Sequence, residues 1–185
     1  NLIFTTAITR KFSAKFTNKT GITYTKMYYD MDMDLAPHQM HPMELISQGK
    51  GNTDLISGYT SSSIGISEQV TLNVGVNAQV LTLNNSWALE PRAGIKWQFS
   101  PKSSFALAYG VHSRMEKMDV YFVKTQGTGD RSVNKDLGFT RAHHVMLSYG
   151  FKVSDNMNMK IEPYFQQLYD VPVIADSSYS VLKDR

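Results

Sequence analysis

The sequence contains no cysteine and no apolar stretch long enough for a membrane-spanning helix. Without cysteine the chain forms neither disulfides nor thiolate metal sites, although this leaves its compartment open. A transmembrane helix needs about 18 consecutive apolar residues, so a helical membrane protein is excluded. The sequence also lacks a G-x-S-x-G turn, a phosphate-binding glycine loop and an H-E-x-x-H pair, and no motif pairs its scattered acidic residues. We therefore expect no enzymatic activity and no cofactor.

Charge of neither sign dominates. The 19 Lys and Arg residues and 16 Asp and Glu residues leave a net charge of +3, and the charges are interspersed along the 185 residues. This distribution does not favour a nucleic-acid partner.

The amino terminus has no basic segment followed by an apolar core, so no signal peptide is visible. Because the chain starts within a strand pattern and stops without a closing element, we expect it to be a fragment.

The feature that the sequence does contain is alternation of apolar and polar residues with a period of two. It is clearest in residues 70–80, 89–99 and 105–114, where the last two segments are joined by a tight turn at Ser100, Pro101 and Lys102. Successive side chains on a strand point to opposite faces, so each strand has one apolar and one polar face. The ten Tyr, nine Phe and two Trp residues suit strands and membrane interfaces.

Weaker alternation predicts further strands on both sides of this region. These strands are expected at residues 2–10, 16–30, 55–66, 144–152 and 159–166. The register of residues 55–66 is ambiguous, and we expect Ile56, rather than Leu55, to share the apolar face. Residues 31–52 and 115–139 have no sustained period and are predicted as long loops, the second with a short extended piece at 120–123.

The connections predict the topology. Short turns near residues 11, 67, 101 and 154 alternate with longer loops after residues 30, 82, 114 and 169, which places every tight turn at one end of the sheet. We therefore predict an all-β, antiparallel up-and-down meander of about eight strands. Outer-membrane barrels have this asymmetry. A soluble sandwich usually needs crossing connections between its two sheets.

Several segments of this pattern resemble TonB-dependent outer-membrane receptors, particularly the large nutrient receptors that carry a carboxypeptidase-regulatory-like domain before the plug. The matching residues are Glu90, Pro91, Arg92, Ala93, Gly94, Ile95 and Lys96, then Ala108, Tyr109 and Gly110, and finally Ile161, Glu162, Pro163, Tyr164, Phe165, Gln166, Leu168, Tyr169, Val171 and Pro172. Their order and spacing, with turns between them, extend the resemblance over most of the chain.

The resemblance implies a bacterial outer-membrane location and an arc of a barrel of about 22 strands, filled by an amino-terminal plug. Its implied partners are membrane lipid, the plug, TonB through segments that this chain lacks, and an extracellular nutrient of unknown identity. The plug and the closing strand are absent from residues 1–185, which alone could not transport a ligand. Closure into a small eight-stranded barrel is the alternative architecture. A soluble β domain that binds glycan or protein on its aromatic face is the alternative function.

The region predicted as the first long loop contains the clearest set of candidate metal ligands. His38 and His41 are three positions apart, Met40 lies between them, and further methionines and carboxylates surround them. Imidazole and thioether groups favour copper or another soft or borderline metal. The alternative is an extracellular loop whose methionines pack against neighbouring loops.

The polar faces supply the other candidates. His112 and Arg114 are candidate ligand-binding residues near the loop end, with an ordinary lumenal network as the alternative. Arg92, Lys96 and Glu162 are expected to face the lumen, either toward the plug or, with Glu90 and Lys160, in the interior network of a small barrel. His143 and His144 are adjacent on a strand, so they cannot chelate together. Two aromatic girdles are expected at the membrane interfaces, and their members are Trp97, Phe99, Phe105 and Phe151 beside the tight turns, and Tyr24, Tyr28 and Trp87 at the loop end.

Overall fold

The computed structural model describes residues 1–35, 44–123, 132 and 134–172, and these residues form one antiparallel sheet of nine strands. The strands are β1 (Leu2–Lys11), β2 (Phe16–Leu35), β3 (Glu44–Gly65), β4 (Val70–Leu81), β5 (Ser86–Ser100), β6 (Ser103–Arg114), β7 (Thr140–Ser154), β8 (Met157–Ile161) and β9 (Tyr164–Tyr169). From β1 to β8 the strands are neighbours in sequence order, and β9 also pairs with β7. Within the described residues β1 and β8 do not pair, so the sheet is open, and the predicted up-and-down meander is confirmed.

The β2–β3 hairpin is longer than predicted. The loop expected at residues 31–52 is wrong, because β2 continues to Leu35 and β3 begins at Glu44. Cross-strand pairs hold this extension together: Lys50 makes an ion pair with Asp30 at 2.7 Å. On β2, residues 29–35 alternate apolar residues with Asp30, Asp32 and Asp34, which indicates a strand. On β3, residues 47–52 do not alternate, and pairing with β2 determines their structure.

The connection between β4 and β5 is a tight turn rather than the longer loop predicted after residue 82. Only residues 82–85 separate the two strands. Asn85 has a φ of 58°, in the left-handed region that asparagine tolerates. The Asn84 side-chain oxygen accepts a hydrogen bond from the Ser86 N–H at 3.0 Å, which is an Asx turn.

Two other predicted elements differ from the structure. The strand expected at residues 159–166 is divided at Glu162 and Pro163 into β8 and β9, which both pair with β7. Proline has no N–H to donate to a ladder, although the Pro163 carbonyl still accepts from Leu147 N–H at 3.1 Å. The extended piece expected at 120–123 is wrong for most of its length, because residues 118–121 form the short helix α1 (Met118–Tyr121) and only Val123 makes a β-bridge.

The strand registers define two faces, which we call the apolar face and the polar face. Val74 on the apolar face lies opposite Ala93, and Asn73 on the polar face lies opposite Gly94. Ile56 lies opposite Val80, so the prediction that the isoleucines of β3 share the apolar face is confirmed. Large side chains of the apolar face remain exposed along the sheet, including Ile95 at 40% and Leu107 at 42%. The described residues include no helix that is long and apolar enough to cross a membrane.

The hydrophobic core lies at the loop end of the polar face. Residues 115–123, which we call the strap, follow β6, include α1 and pack against this end of the polar face. The buried members of this core are Leu81, Ala88, Tyr121, Phe122 and Phe139. The strap therefore covers the loop end of the polar face and leaves the middle of the sheet open.

Candidate ligand-binding cavity

A cavity of about 1090 Å³ lies on the polar face in the middle of the sheet. Its lining reaches from Lys19 on β2 to Tyr164 on β9, so the sheet curves around this face. Its floor is made of the small residues Gly75, Gly94, Ala108 and Gly110 on three adjacent strands. Small side chains at these positions create the space that longer polar side chains surround.

Arg92 stands in the middle of this floor. It lies directly opposite Gly75 on β4 and Gly110 on β6. A methyl group built on Gly110 would lie 3.3 Å from Arg92 Cγ and 3.4 Å from His112 Nε2. Both side chains therefore extend over the glycine and occupy the space that its missing side chain leaves.

His144 completes a group of three nitrogen-bearing side chains. It lies directly opposite Gly110, and its ring centroid is 4.6 Å from that of His112. His143 points to the apolar face, where its Nδ1 is 2.8 Å from the Tyr109 hydroxyl and its ring stacks on Tyr169. The predicted separation of the two adjacent histidines is confirmed.

A buried carboxylate anchors Arg92 from the side of the strap. Glu90 is 3% exposed and forms an ion pair with Arg92 at 2.6 Å. Its two oxygens also accept hydrogen bonds from Asn77, Gln79 and both the N–H and the hydroxyl of Ser113, at 2.6 to 3.1 Å. This number of donors stabilises the ionised carboxylate and fixes the orientation of the Arg92 guanidinium.

The two side walls of the cavity differ in chemistry. On β3, the Tyr59 ring lies over Gly21, and Lys19 Nζ is 6.0 Å from the centre of that ring. On the opposite wall Glu162 forms an ion pair with Lys160 at 2.6 Å. An aromatic ring and a cation thus face a neutralised ion pair across the floor.

The strap is held by both apolar and polar contacts. Tyr121 is fully buried, and burial raises the pKa of its hydroxyl. That hydroxyl accepts a hydrogen bond from the Glu116 N–H at 3.2 Å. The buried Glu116 carboxylate accepts a hydrogen bond from the Thr140 hydroxyl at the start of β7. Phe122 packs on Tyr29 with ring centroids 4.8 Å apart.

The structure brings together some of the residues that the sequence singled out. Arg92, His112 and Glu162 line the cavity. Arg114 and Lys96 lie on the same polar face, opposite Thr140 and Thr71 respectively, above and below the cavity lining. The candidate metal ligands His38, Met40 and His41 lie outside the described residues. Among the residues that are described, no three His, Asp or Glu side chains converge as a metal ion would require.

Sequence reasoning missed His144, Lys19 and Tyr59 as cavity residues. Alternation places each of them on a polar face, which was the available signal. It does not place His144 beside His112, because a loop of more than twenty residues joins β6 to β7 and leaves their register open.

Aromatic side chains on the apolar face form two groups. Beside the short turns, Trp97 lies opposite Phe105, and its ring is 5.4 Å from that of Phe99. Tyr149 joins this group, 6.4 Å from Phe99 and 5.5 Å from Phe151. At the loop end the group contains Tyr24, Tyr28, Trp87 and Tyr169.

The cavity can bind and orient a polar ligand through its cations, imidazoles, amides and aromatic rings. Comparison of the chain with protein-family models, curated proteins and solved structures gives no match. What the chain does must therefore be inferred from the geometry of its two faces.

Proposed function

We propose that this chain is part of the barrel of a TonB-dependent outer-membrane receptor, which actively imports a scarce nutrient into a bacterium. The observation that carries the proposal is the pairing of an exposed apolar face with a concave polar face that surrounds a cavity. In such a barrel the apolar face contacts lipid, and the polar face lines the path of the substrate. The polar face also contacts the plug in this proposal.

The apolar face supports a lipid environment because it is broad and continuous. Its exposed side chains extend from Ile8 on β1 to Phe165 on β9. Soluble monomers rarely expose one apolar patch larger than a few hundred Å². The alternative, a soluble β domain that binds glycan or protein on this face, requires a partner or a second layer to cover it.

The distance between the two aromatic groups also fits a bilayer. Trp87 and Trp97 are ten positions apart on β5 and lie on the same face. At about 3.3 Å per residue they are separated by about 33 Å along the strand. A strand tilt of about 40° reduces this to about 25 Å along the membrane normal, the height of the apolar band of outer-membrane barrels.

Polar side chains on the apolar face form hydrogen bonds with one another. Asn18 Nδ2 donates hydrogen bonds to the hydroxyls of Thr60 and Ser62, both at 2.9 Å. Thr20 donates to the side-chain oxygen of Asn18 at 2.9 Å. Mutual hydrogen bonding removes most of the cost of placing these groups in hydrocarbon, where no water replaces a missing partner.

The open edges support the proposal that further strands complete the barrel. β1 pairs with β2 alone, and β8 and β9 pair with β7 alone among the described strands. A lipid-exposed edge leaves a row of backbone N–H and C=O groups without partners, so only a closed barrel is stable in a bilayer. In the proposed receptor, strands outside residues 1–185 pair with both edges.

A pair of arginine substitutions on adjacent residues tests the proposal. Val74 lies opposite Ala93, between the two aromatic groups, so it is placed near the middle of the membrane. Arginine at that depth on the lipid face costs about 2 to 4 kcal/mol. We expect Val74→Arg to block assembly of the full-length protein into phospholipid vesicles, measured as heat-modifiable migration on gels and as protection from protease.

Asn73→Arg is the matched control, because Asn73 faces the cavity between Ser63 and Gly94. We expect it to assemble like the wild type. Equal behaviour of the two variants contradicts the assignment of the faces to lipid and lumen. A full-length protein that stays monomeric in buffer without detergent supports the soluble β domain instead.

A further inference from the structure

The side chains of Arg92, His112 and His144, which all carry nitrogen, lie beside one another on the cavity floor. The Arg92 stem and His112 Nε2 both lie within 3.4 Å of where a side chain on Gly110 would begin, and His144 stands directly opposite that glycine. His112 and His144 are in ring contact, with centroids 4.6 Å apart. Groups that carry or can acquire positive charge are thus brought together rather than separated.

The carboxylates that lie near this group are already engaged by other partners. The nearest carboxylate is Glu90, and both of its oxygens are already occupied by five hydrogen bonds. On the far wall Glu162 is paired with Lys160. Among the described residues, no acceptor hydrogen-bonds to the imidazole of His112 or His144. An anion that binds among clustered donors is stabilised, because it accepts their hydrogen bonds and balances their charge.

We propose that Arg92, His112 and His144 form an anion-binding site, and that it holds a carboxylate or phosphate group of the imported nutrient. The identification of the anion with a group of the nutrient rests on the proposed function, whereas the site itself rests on the convergence of the three side chains. Glu90 holds Arg92 in position, and the absence of a side chain at Gly110 lets Arg92 and His112 lie close together. The open cavity of about 1090 Å³ above them has room for the anion. Tyr59 and Tyr164 line the cavity around the site and can contact apolar parts of the ligand.

Calorimetric titration of the full-length protein in detergent tests this site. Inorganic phosphate and acetate serve as the two probes, because they represent the two chemical classes in their smallest form. The test variant is His112→Gln combined with His144→Gln, which keeps hydrogen-bonding capacity but removes the ability to become charged. The control is His143→Gln, the same substitution one position away on the apolar face.

We expect the wild type to bind at least one probe, and the double variant to bind it about tenfold more weakly or worse, the factor for replacing a charge-assisted hydrogen bond by a neutral one. The control should bind like the wild type. Affinity should also rise as the pH falls, because protonation adds positive charge to an imidazole beside the anion. The charged groups around His112 are Arg92, Glu90 and His144, and they are the same in the control.

Failure of the wild type to bind either probe overturns the anion site, and so does an equal loss of affinity in the double variant and the control. Single His112→Gln repeats the test with less disturbance, because His112 is exposed to the cavity. A protein that assembles in vesicles but binds neither probe leaves the proposed receptor intact and removes only this inference. If the protein binds a probe but stays monomeric in buffer without detergent, the anion site is supported and the receptor role is contradicted.

Discussion

Glu90→Gln is expected to destabilise the protein far more than the same substitution at Glu162. Glu90 is 3% exposed, and each of its oxygens accepts more than one hydrogen bond. In glutamine one oxygen becomes an NH₂ group, which accepts nothing and points at donors from Arg92 or Ser113. The substitution therefore removes a charge, several hydrogen bonds and the partner of a guanidinium at once.

The size of the effect follows from burial. Breaking a buried ion pair costs about 3 to 5 kcal/mol, because the remaining groups lose their partner away from water. Arg92 is 49% exposed and recovers part of this through hydration, so we expect about 3 kcal/mol for Glu90→Gln. The side chains of Lys160 and Glu162 are 61% and 38% exposed. An exposed ion pair contributes about 0 to 1 kcal/mol, which is the expected cost of Glu162→Gln.

Urea unfolding of the full-length protein, folded in vesicles and followed by tryptophan fluorescence, measures both free energies. The difference between the two variants should be at least about 2 kcal/mol, with the same dependence on urea concentration. A Glu90→Gln variant within about 0.5 kcal/mol of the wild type refutes the view that this carboxylate organises the polar face. Such a result would also remove the support that Glu90 gives to Arg92 in the anion site.

Two further pairs of substitutions test whether stability depends on close packing at particular positions. A methyl group on Gly75 would lie 2.9 Å from the Thr60 carbonyl oxygen, whereas one on Gly58 would lie 3.9 Å from its nearest neighbour, the Gly21 carbonyl oxygen. Gly75→Ala should therefore lower the urea midpoint clearly, and Gly58→Ala should not. Leu81 is fully buried under the strap and Leu89 is 50% exposed, so Leu81→Ala should cost about 2 to 5 kcal/mol and Leu89→Ala less than half as much. Equal costs within either pair contradict the packing described for it.

The central strands could be predicted from the sequence because local chemistry and tertiary packing agree there. Between Val70 and Arg114 the apolar residues alternate strictly, and Pro101 with its neighbours forms a tight turn that sets the register of β5 and β6. Period, turn and strand boundaries all indicate the same β5–β6 hairpin. The apolar face of the sheet follows directly from that pattern.

The outer part of the β2–β3 hairpin could not be predicted in the same way. Only its β2 half alternates, with apolar residues between Asp30, Asp32 and Asp34. Residues 47–52 of β3 do not alternate and include Gly and Asn, which have low strand propensity. The strands continue because a paired ladder already exists below them, and because Tyr29 and Phe122 pack on the adjacent glycines Gly51 and Gly49. Phe122 belongs to the strap, far away in sequence, so the stabilising contact is invisible to a local pattern.

The candidate site could be predicted only in part from the sequence, for a related reason. Alternation identifies Arg92 and His112 as polar-face residues, but a slip of one residue would move His144 to the apolar face and His143 into the cavity. The register of β6 against β7 depends on pairing along the whole of both strands, from Ser103 opposite Phe151 to Arg114 opposite Thr140. More than twenty residues separate the two strands, so a tight hairpin turn cannot set this register.

The glycines of the cavity floor show why the site is more than a gap in the sheet. Glycine inside a strand is destabilising by about 0.5 to 1 kcal/mol relative to alanine, so three glycines on adjacent strands lower the stability of the sheet. Backbone proximity explains Gly75, because the Thr60 carbonyl leaves no room for a methyl group there. It does not explain Gly110, whose nearest neighbours are the side chains of Arg92 and His112. Gly110 therefore makes room for the side chains of the proposed anion site, and its cost in stability is better explained by ligand binding than by folding.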